Sequence, residues 1–167
     1  MQVEEIRPRL FRVTDTYGPD ELPLVWGMIT ENWMTLFSRT PPDGSLKNMQ
    51  IDPASCPWWQ TKADEVLAAI PDMGAMSLNS IGLNYYGDGT SMSEHVDVPL
   101  WTMITFAFRT PKCFGGGDLV IDGATYPAEN NVSYVLMKLK HEVTEVTCDA
   151  DDEANRLGRF SLSTFWD

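Results

Sequence analysis

Basic residues are scarce in this chain. Among its 167 residues, 12 Lys and Arg face 24 Asp and Glu, a formal net charge of -12 with a pI near 4.4. Such a balance opposes a polyanionic partner, because phosphate binding draws on clustered Lys and Arg. Cysteine is scarcer: Cys56, Cys113 and Cys148 are odd in number, widely spaced and outside any C-x-x-C pattern, so neither a disulfide framework nor a zinc site is indicated. No apolar run is long enough to cross a bilayer, and Met1-Gln2-Val3-Glu4-Glu5 lacks the basic-then-apolar order of a secretory signal. These absences point to a reducing cytoplasm. There is no internal repeat, and Asn131-Val132-Ser133 is a glycosylation sequon by spelling only. The acidic stretch Cys148-Asp149-Ala150-Asp151-Asp152-Glu153 lacks the glycine and terminal glutamate of a calcium loop, which leaves a solvated loop as its reading. Histidine is the rarest of the chemically active types, with two in all.

What is abundant suits a packed enzyme-sized domain. Hydrophobic residues make up 43% and aromatic residues 11%, enough to argue against disorder and for one domain spanning 1–167. The order of elements predicts a mainly β chain with amino-terminal helices, an α+β class. A first strand is expected at 10–17. Leu22, Val25, Trp26, Ile29, Trp33 and Phe37 recur at near-helical spacing over 20–37, until Thr40-Pro41-Pro42-Asp43-Gly44 breaks the pattern. A second helix starts around Pro57 and carries Trp58, Val66, Leu67 and Ile70 before Pro71. From Met76 onward, turn signals separate strands at about 78–86, 93–97, 102–109, 118–122, 132–139, 141–147 and 159–166, a rhythm that suits a jelly-roll barrel. Trp101, shortly after the second of these, is expected to fill the core.

Both histidines stand where a mononuclear metal site would want them. In an extended strand, residues two apart point to one side, so His95 and Asp97 present an imidazole nitrogen and a carboxylate oxygen together while Val96 faces away. If the strand carrying His141 lies beside them, the three form a two-His-one-carboxylate facial triad with three coordination positions open, the ligand set of non-heme Fe(II) oxygenases. His-x-Asp alone also occurs by chance, so other residues must support it.

Three segments do. Residues 158–166 read as a closing strand with Phe160, Leu162, Thr164 and Trp166 on one face and Arg159, Ser161, Ser163 and Phe165 on the other. The second face either meets water or lines a polar cavity, where Arg159 offers a planar fork for a carboxylate and Ser161 a hydroxyl. Before the histidines, Ser80-Ile81-Gly82-Leu83-Asn84-Tyr85-Tyr86 is a strand ending in a Gly87-Asp88-Gly89 turn. Between them, Cys113-Phe114-Gly115-Gly116-Gly117-Asp118 places consecutive glycines, which allow positive φ and close backbone approach, just ahead of an apolar strand.

Taken in order over about residues 78–166, the tyrosine and glycine-turn segment into His95-Val96-Asp97, the Gly116-Gly117-Asp118-Leu119 strand start, His141-Glu142-Val143-Thr144 and Arg159-x-Ser161 resemble the Fe(II)- and 2-oxoglutarate-dependent dioxygenases, above all their prolyl-4-hydroxylase-like branch. The resemblance implies a double-stranded β-helix over about 76–167, with about 1–75 as a helical buttress. It implies Fe(II) on His95, Asp97 and His141, dioxygen as co-reactant, and 2-oxoglutarate held by Arg159 with help from Ser161. Tyr85 matches the tyrosine that hydroxylases of this branch place near the cosubstrate, whereas Asn84 and Tyr86 match the Asn-x-Tyr of AlkB-type nucleic-acid demethylases; both choices stay open. Phe165 stands where the AlkB group has a second arginine, a departure from that pattern. The implied reaction is hydroxylation of an unactivated carbon of a prolyl residue in a peptide or protein, or of a free amino acid. The alternatives are an AlkB-type demethylase and a jelly-roll metal binder without turnover. Neither the oligomeric state nor the hydroxylated position is legible.

Overall fold

Short segments with alternating burial organise the chain, and period two can bury one face of a sheet or, in central strands, both. The computed structural model describes residues 1–38, 47–71, 73, 76–107, 112, 114–148 and 159–167. Its strands in chain order are β1 (Gln2–Arg7), β2 (Leu10–Thr14), β3 (Lys47–Ile51), β4 (Leu78–Tyr86), β5 (Met92–His95), β6 (Trp101–Ala107), β7 (Phe114–Gly116), β8 (Leu119–Ile121), β9 (Ala124–Tyr126), β10 (Val132–Met137), β11 (His141–Val143), β12 (Val146–Cys148) and β13 (Arg159–Trp166). The helices are α1 (Leu22–Ser38) and α2 (Pro57–Ala69), the latter preceded by a single 3-10 turn at Pro53–Ser55.

A major antiparallel sheet runs β1-β2-β10-β6-β13-β4-β3, and a minor one runs β5-β11-β8-β9, with β7 and β12 paired separately. Between the two sheets lies a core of Leu10, Tyr86, Ile104, Phe106, Leu119, Ile121, Tyr134, Leu136 and Val143. The other face of the major sheet packs on the helices: Val25, Met28 and Ile29 of α1 and Trp59 of α2 meet Ile81, Leu83, Tyr85, Phe160 and Leu162. This is the double-stranded β-helix with helices against the major sheet.

Both helices follow local rules. The Glu21 carboxylate accepts the Gly18 N–H at 2.7 Å, satisfying a donor just ahead of α1. Pro57 opens α2, where a missing N–H costs nothing, and Ile70 leaves the helix at φ -94°, ψ 124°, as a residue before proline must. Lys62 of α2 bridges Glu21 at 2.9 Å and Glu65 at 2.6 Å, tying α2 to the residue just ahead of α1 at a nearly buried amine.

Several elements differ from expectation. The first strand is the hairpin β1–β2, which joins the major sheet, as does β3; strands from the first 51 residues thus cross the expected division near 75. The run 141–147 splits into β11 and β12, which pair with β8 and with β7, so one apolar segment serves two ladders. Trp101 is a core residue, as expected. The Thr40 to Gly44 breaker, Cys113 and the acidic stretch beyond Cys148 lie outside the described residues, as do the side chains of Trp33 and Phe37.

Candidate metal centre

Strand pairing brings the two histidines together. His141 of β11 sits directly opposite His95 of β5, and their rings lie 4.2 Å apart between centroids. Such cross-strand neighbours share one face of a sheet. Each ring is held from behind: the backbone carbonyls of Ser93 and Leu139 accept from Nδ1 of His95 (2.9 Å) and His141 (3.1 Å). A carbonyl can only accept, so Nδ1 carries the proton and the Nε2 lone pair is left for a ligand, the usual outer support of a metal-binding imidazole.

Asp97 completes the set from a different position than expected. β5 ends at His95, so Asp97 is in the following loop, not on the strand. The loop is fixed over long range: Lys138 Nζ donates to the carbonyl oxygens of Asp97 and Val98, and the Leu100 N–H donates to Asp167 Oδ1 at 2.7 Å. Held so, Asp97 places Oδ1 3.6 Å from His95 Nε2 and Oδ2 3.5 Å from His141 Nε2. These contacts are too long for strong hydrogen bonds. The donor atoms of the three residues all lie within 4.8 Å of one another, as donors that share a cation do. Burial pushes the His141 pKa down, with His95 adding to the fall while Asp97 and the Leu139 carbonyl resist it. The neutral imidazole that a metal requires is thereby favoured.

Arg159 opens β13 with its side chain fully buried, and Nε, Nη1 and Nη2 have no hydrogen-bond partner among the described residues. The guanidinium is instead stacked on the rings of Tyr86 and Phe106, at 4.4 and 4.5 Å. Burial lowers its pKa against the opposing pull of Tyr86 and Asp118, yet an arginine keeps its charge. A buried cation that forms no ion pair among the described residues fits a carboxylate ligand, which could take two of its donors at once. Room for the arginine stem depends on Gly117: at φ 67°, a Cβ there would lie 2.6 Å from Arg159 Cδ.

A cavity of about 170 Å³ has Asn84, Tyr86, His95, Asp97, His141 and Ser161 in its wall, and Arg159 lies against the Tyr86 ring, on the same face of β13 as Ser161. Of the two faces of β13, the polar one therefore meets a cavity and not water. Tyr85 is corrected by the same register. Arg159 pairs with Tyr86 and Phe160 with Tyr85, so Tyr85 points to the helix side, where its ring lies 5.3 Å from that of Phe160. Tyr85 is thus excluded from the cavity, and Asn84 and Tyr86 remain. Asn48, on the unforeseen strand β3, also reaches the wall and donates to Asn84 Oδ1 at 2.5 Å. Met92 and Phe165 complete the rim. The alternation Asn48-Met49-Gln50-Ile51 was the signal for β3, obscured by the breaker ahead of it.

No protein-family model and no curated protein matches the sequence. Solved structures do match. A prolyl-4-hydroxylase of Pseudomonas putida is 14% identical with TM-score 0.69, over 95% of this chain and 91% of its own. The viral collagen prolyl hydroxylase of Paramecium bursaria Chlorella virus-1, in its 2-oxoglutarate complex, is 12% identical with TM-score 0.63, over 95% and 94%. OsALKBH1 is 13% identical with TM-score 0.69, over 98% and 99%. At such identities the likeness establishes the shared double-stranded β-helix.

Proposed function

We propose that this chain is an Fe(II)- and 2-oxoglutarate-dependent dioxygenase that hydroxylates an unactivated carbon, of a prolyl residue in a peptide or protein or of a free amino acid. The observation that carries the reading is the convergence of three metal donors on a polar-walled cavity, with a buried arginine that forms no ion pair among the described residues on the strand face that lines it. In this reading His95, Asp97 and His141 hold the iron, and Arg159 the distal carboxylate of 2-oxoglutarate. Ser161, Tyr86 and Asn84, which line the cavity, would offer the cosubstrate further hydrogen-bonding groups. Bound there, iron and cosubstrate supply the oxidation with dioxygen, releasing succinate and carbon dioxide. The protein fixes the imidazole tautomers through Ser93 and Leu139 and holds Asp97 through Lys138, and the cavity would hold the cosubstrate beside them. The test is succinate formation from 2-oxoglutarate that requires Fe(II) and dioxygen, together with a substrate mass gain of one oxygen. A metal binder without turnover would give no succinate.

One observation favours the demethylase reading: Asn84 and Tyr86, spaced as in the AlkB group, both face the cavity. Cosubstrate contacts do not choose the substrate, however, and Phe165 stands at the rim where that group has an arginine. Mobility-shift binding to DNA or RNA at low salt separates the two.

A further inference from the structure

One wall of the cavity includes Asn48 of the edge strand β3. β3 is the last strand of the major sheet, and no described strand pairs with its outer side. Unpaired edges invite another strand, and proteins usually guard them with charge, bulges or proline. The opposite edge of the same sheet is guarded in that way: β1 carries Glu4, Glu5 and Arg7 and shifts register between Glu5 and Arg7. Over 48–51, β3 carries no charged residue, proline or register shift. It pairs with β4 in unbroken register, buries Met49 and Ile51, and exposes the neutral amides Asn48 and Gln50. Asn48 is also part of the cavity wall, bonded to Asn84.

Once His95, Asp97 and His141 are assigned to the metal, the remaining wall is uncharged: Asn48, Asn84, Ser161, Ser163, Phe165 and apolar side chains. We infer that β3 is the substrate's docking strand, on which an extended, uncharged polypeptide segment adds as a further strand and so presents a side chain to the cavity beside Asn48. Main-chain hydrogen bonds to this edge, which no described strand occupies, supply affinity with little sequence demand, and the cavity selects the side chain. Asn48 would then meet the segment's own amide groups with a neutral donor and acceptor. This inference rests on the proposed oxygenase reading for what happens in the cavity, but docking on β3 has its own readout.

That readout is hydrogen–deuterium exchange of the full chain, with and without Fe(II) and 2-oxoglutarate under anaerobic conditions. The probes are acetylated, amidated decapeptides in three sets: neutral with a central proline, neutral without proline, and acidic. A neutral set should slow exchange of the 47–51 amides about tenfold while leaving 2–7 unchanged, and acidic peptides should not. Gln50→Lys, which restores an edge guard, should abolish the protection, and Gln50→Thr should keep it. Protection confined to 92–95, equal protection at 2–7, or no protection by any set would overturn the inference. So would slowing at 47–51 that depends only on protein concentration, which would mean pairing between copies. Absence of 2-oxoglutarate turnover with β3 protection intact would instead sink the oxygenase reading and leave the docking strand standing.

Discussion

A histidine binds a metal only through an unprotonated nitrogen, and here the choice of nitrogen is made by two backbone carbonyls. Because Ser93 and Leu139 hold the Nδ1 protons, both Nε2 atoms face Asp97, and on the proposed reading all three donors are needed. His95→Ala, Asp97→Ala and His141→Ala should each abolish turnover and weaken Fe(II) binding, measured by anaerobic titration. His141→Ala with wild-type succinate production would remove the residue from the site. Asp97→Glu should also fail, since the extra methylene moves the oxygen by about a bond length. Arg159 makes a separable prediction. A hydrogen bond to a charged partner is worth roughly 1.5–3 kcal/mol, so Arg159→Ala should raise the apparent 2-oxoglutarate KM by about one to two orders of magnitude. Fe(II) affinity should change far less. Arg159→Lys should recover part of the loss, because an ammonium cannot reproduce the planar fork. Equal damage to metal and cosubstrate binding would mean that Arg159 acts through the fold and not as a contact.

Elements place these residues, and the loop between β7 and β8 does so for Arg159. Gly117 and Gly123 both have positive φ, 67° and 81°, but a Cβ on Gly123 meets nothing within 4 Å whereas one on Gly117 strikes Arg159 Cδ at 2.6 Å. Gly123→Ala should therefore cost only the left-handed backbone penalty of about 1–2 kcal/mol. Gly117→Ala should cost more in thermal unfolding and also raise the 2-oxoglutarate KM; a KM equal to that of Gly123→Ala would dissociate this glycine from the arginine. The glycine run was legible in the sequence as a place of close approach, but the group approached was not, since it comes from a strand over forty residues away. The same limit recurs elsewhere. His95 and His141 were legible because histidine is so rare here, and the two-faced pattern of 159–166 was legible because β13 is regular. The loop holding Asp97 was not, because Lys138 and Asp167 fix it from distant positions. Nor could Tyr85 and Tyr86 be told apart, since both are buried and only the pairing of Tyr86 with Arg159 decides which one faces the cavity. The split of 141–147 into β11 and β12 likewise depends on which strands lie alongside.

Across the whole molecule, the distribution of charge bears on substrate class more directly than its sum. A net charge of -12 leaves open the chance of a local basic surface, and that surface is what phosphates would need. Among the described residues the cations are largely committed. Arg7 pairs with Asp122, Arg12 with Glu129, Lys62 with Glu21 and Glu65, Lys112 with Asp118 and Lys140 with Glu94, while Lys138 holds the carbonyls beside Asp97. Arg159 is buried within the fold. A polyanion would have to displace these carboxylates as well as overcome the overall repulsion, and at the rim it would find Phe165 in place of a cation. The purified protein should accordingly bind DNA or RNA at physiological salt more weakly than the roughly 10⁻⁴–10⁻⁶ M typical of non-specific nucleic-acid binders. Fluorescence anisotropy with labelled single- and double-stranded oligonucleotides, taken from low to physiological salt, reads this directly. Tight binding whose logarithm falls steeply with the logarithm of salt would reveal a cationic track, and the demethylase reading would then displace the hydroxylase one. Weak binding that stays flat with salt leaves a neutral substrate as the one the site is charged to accept.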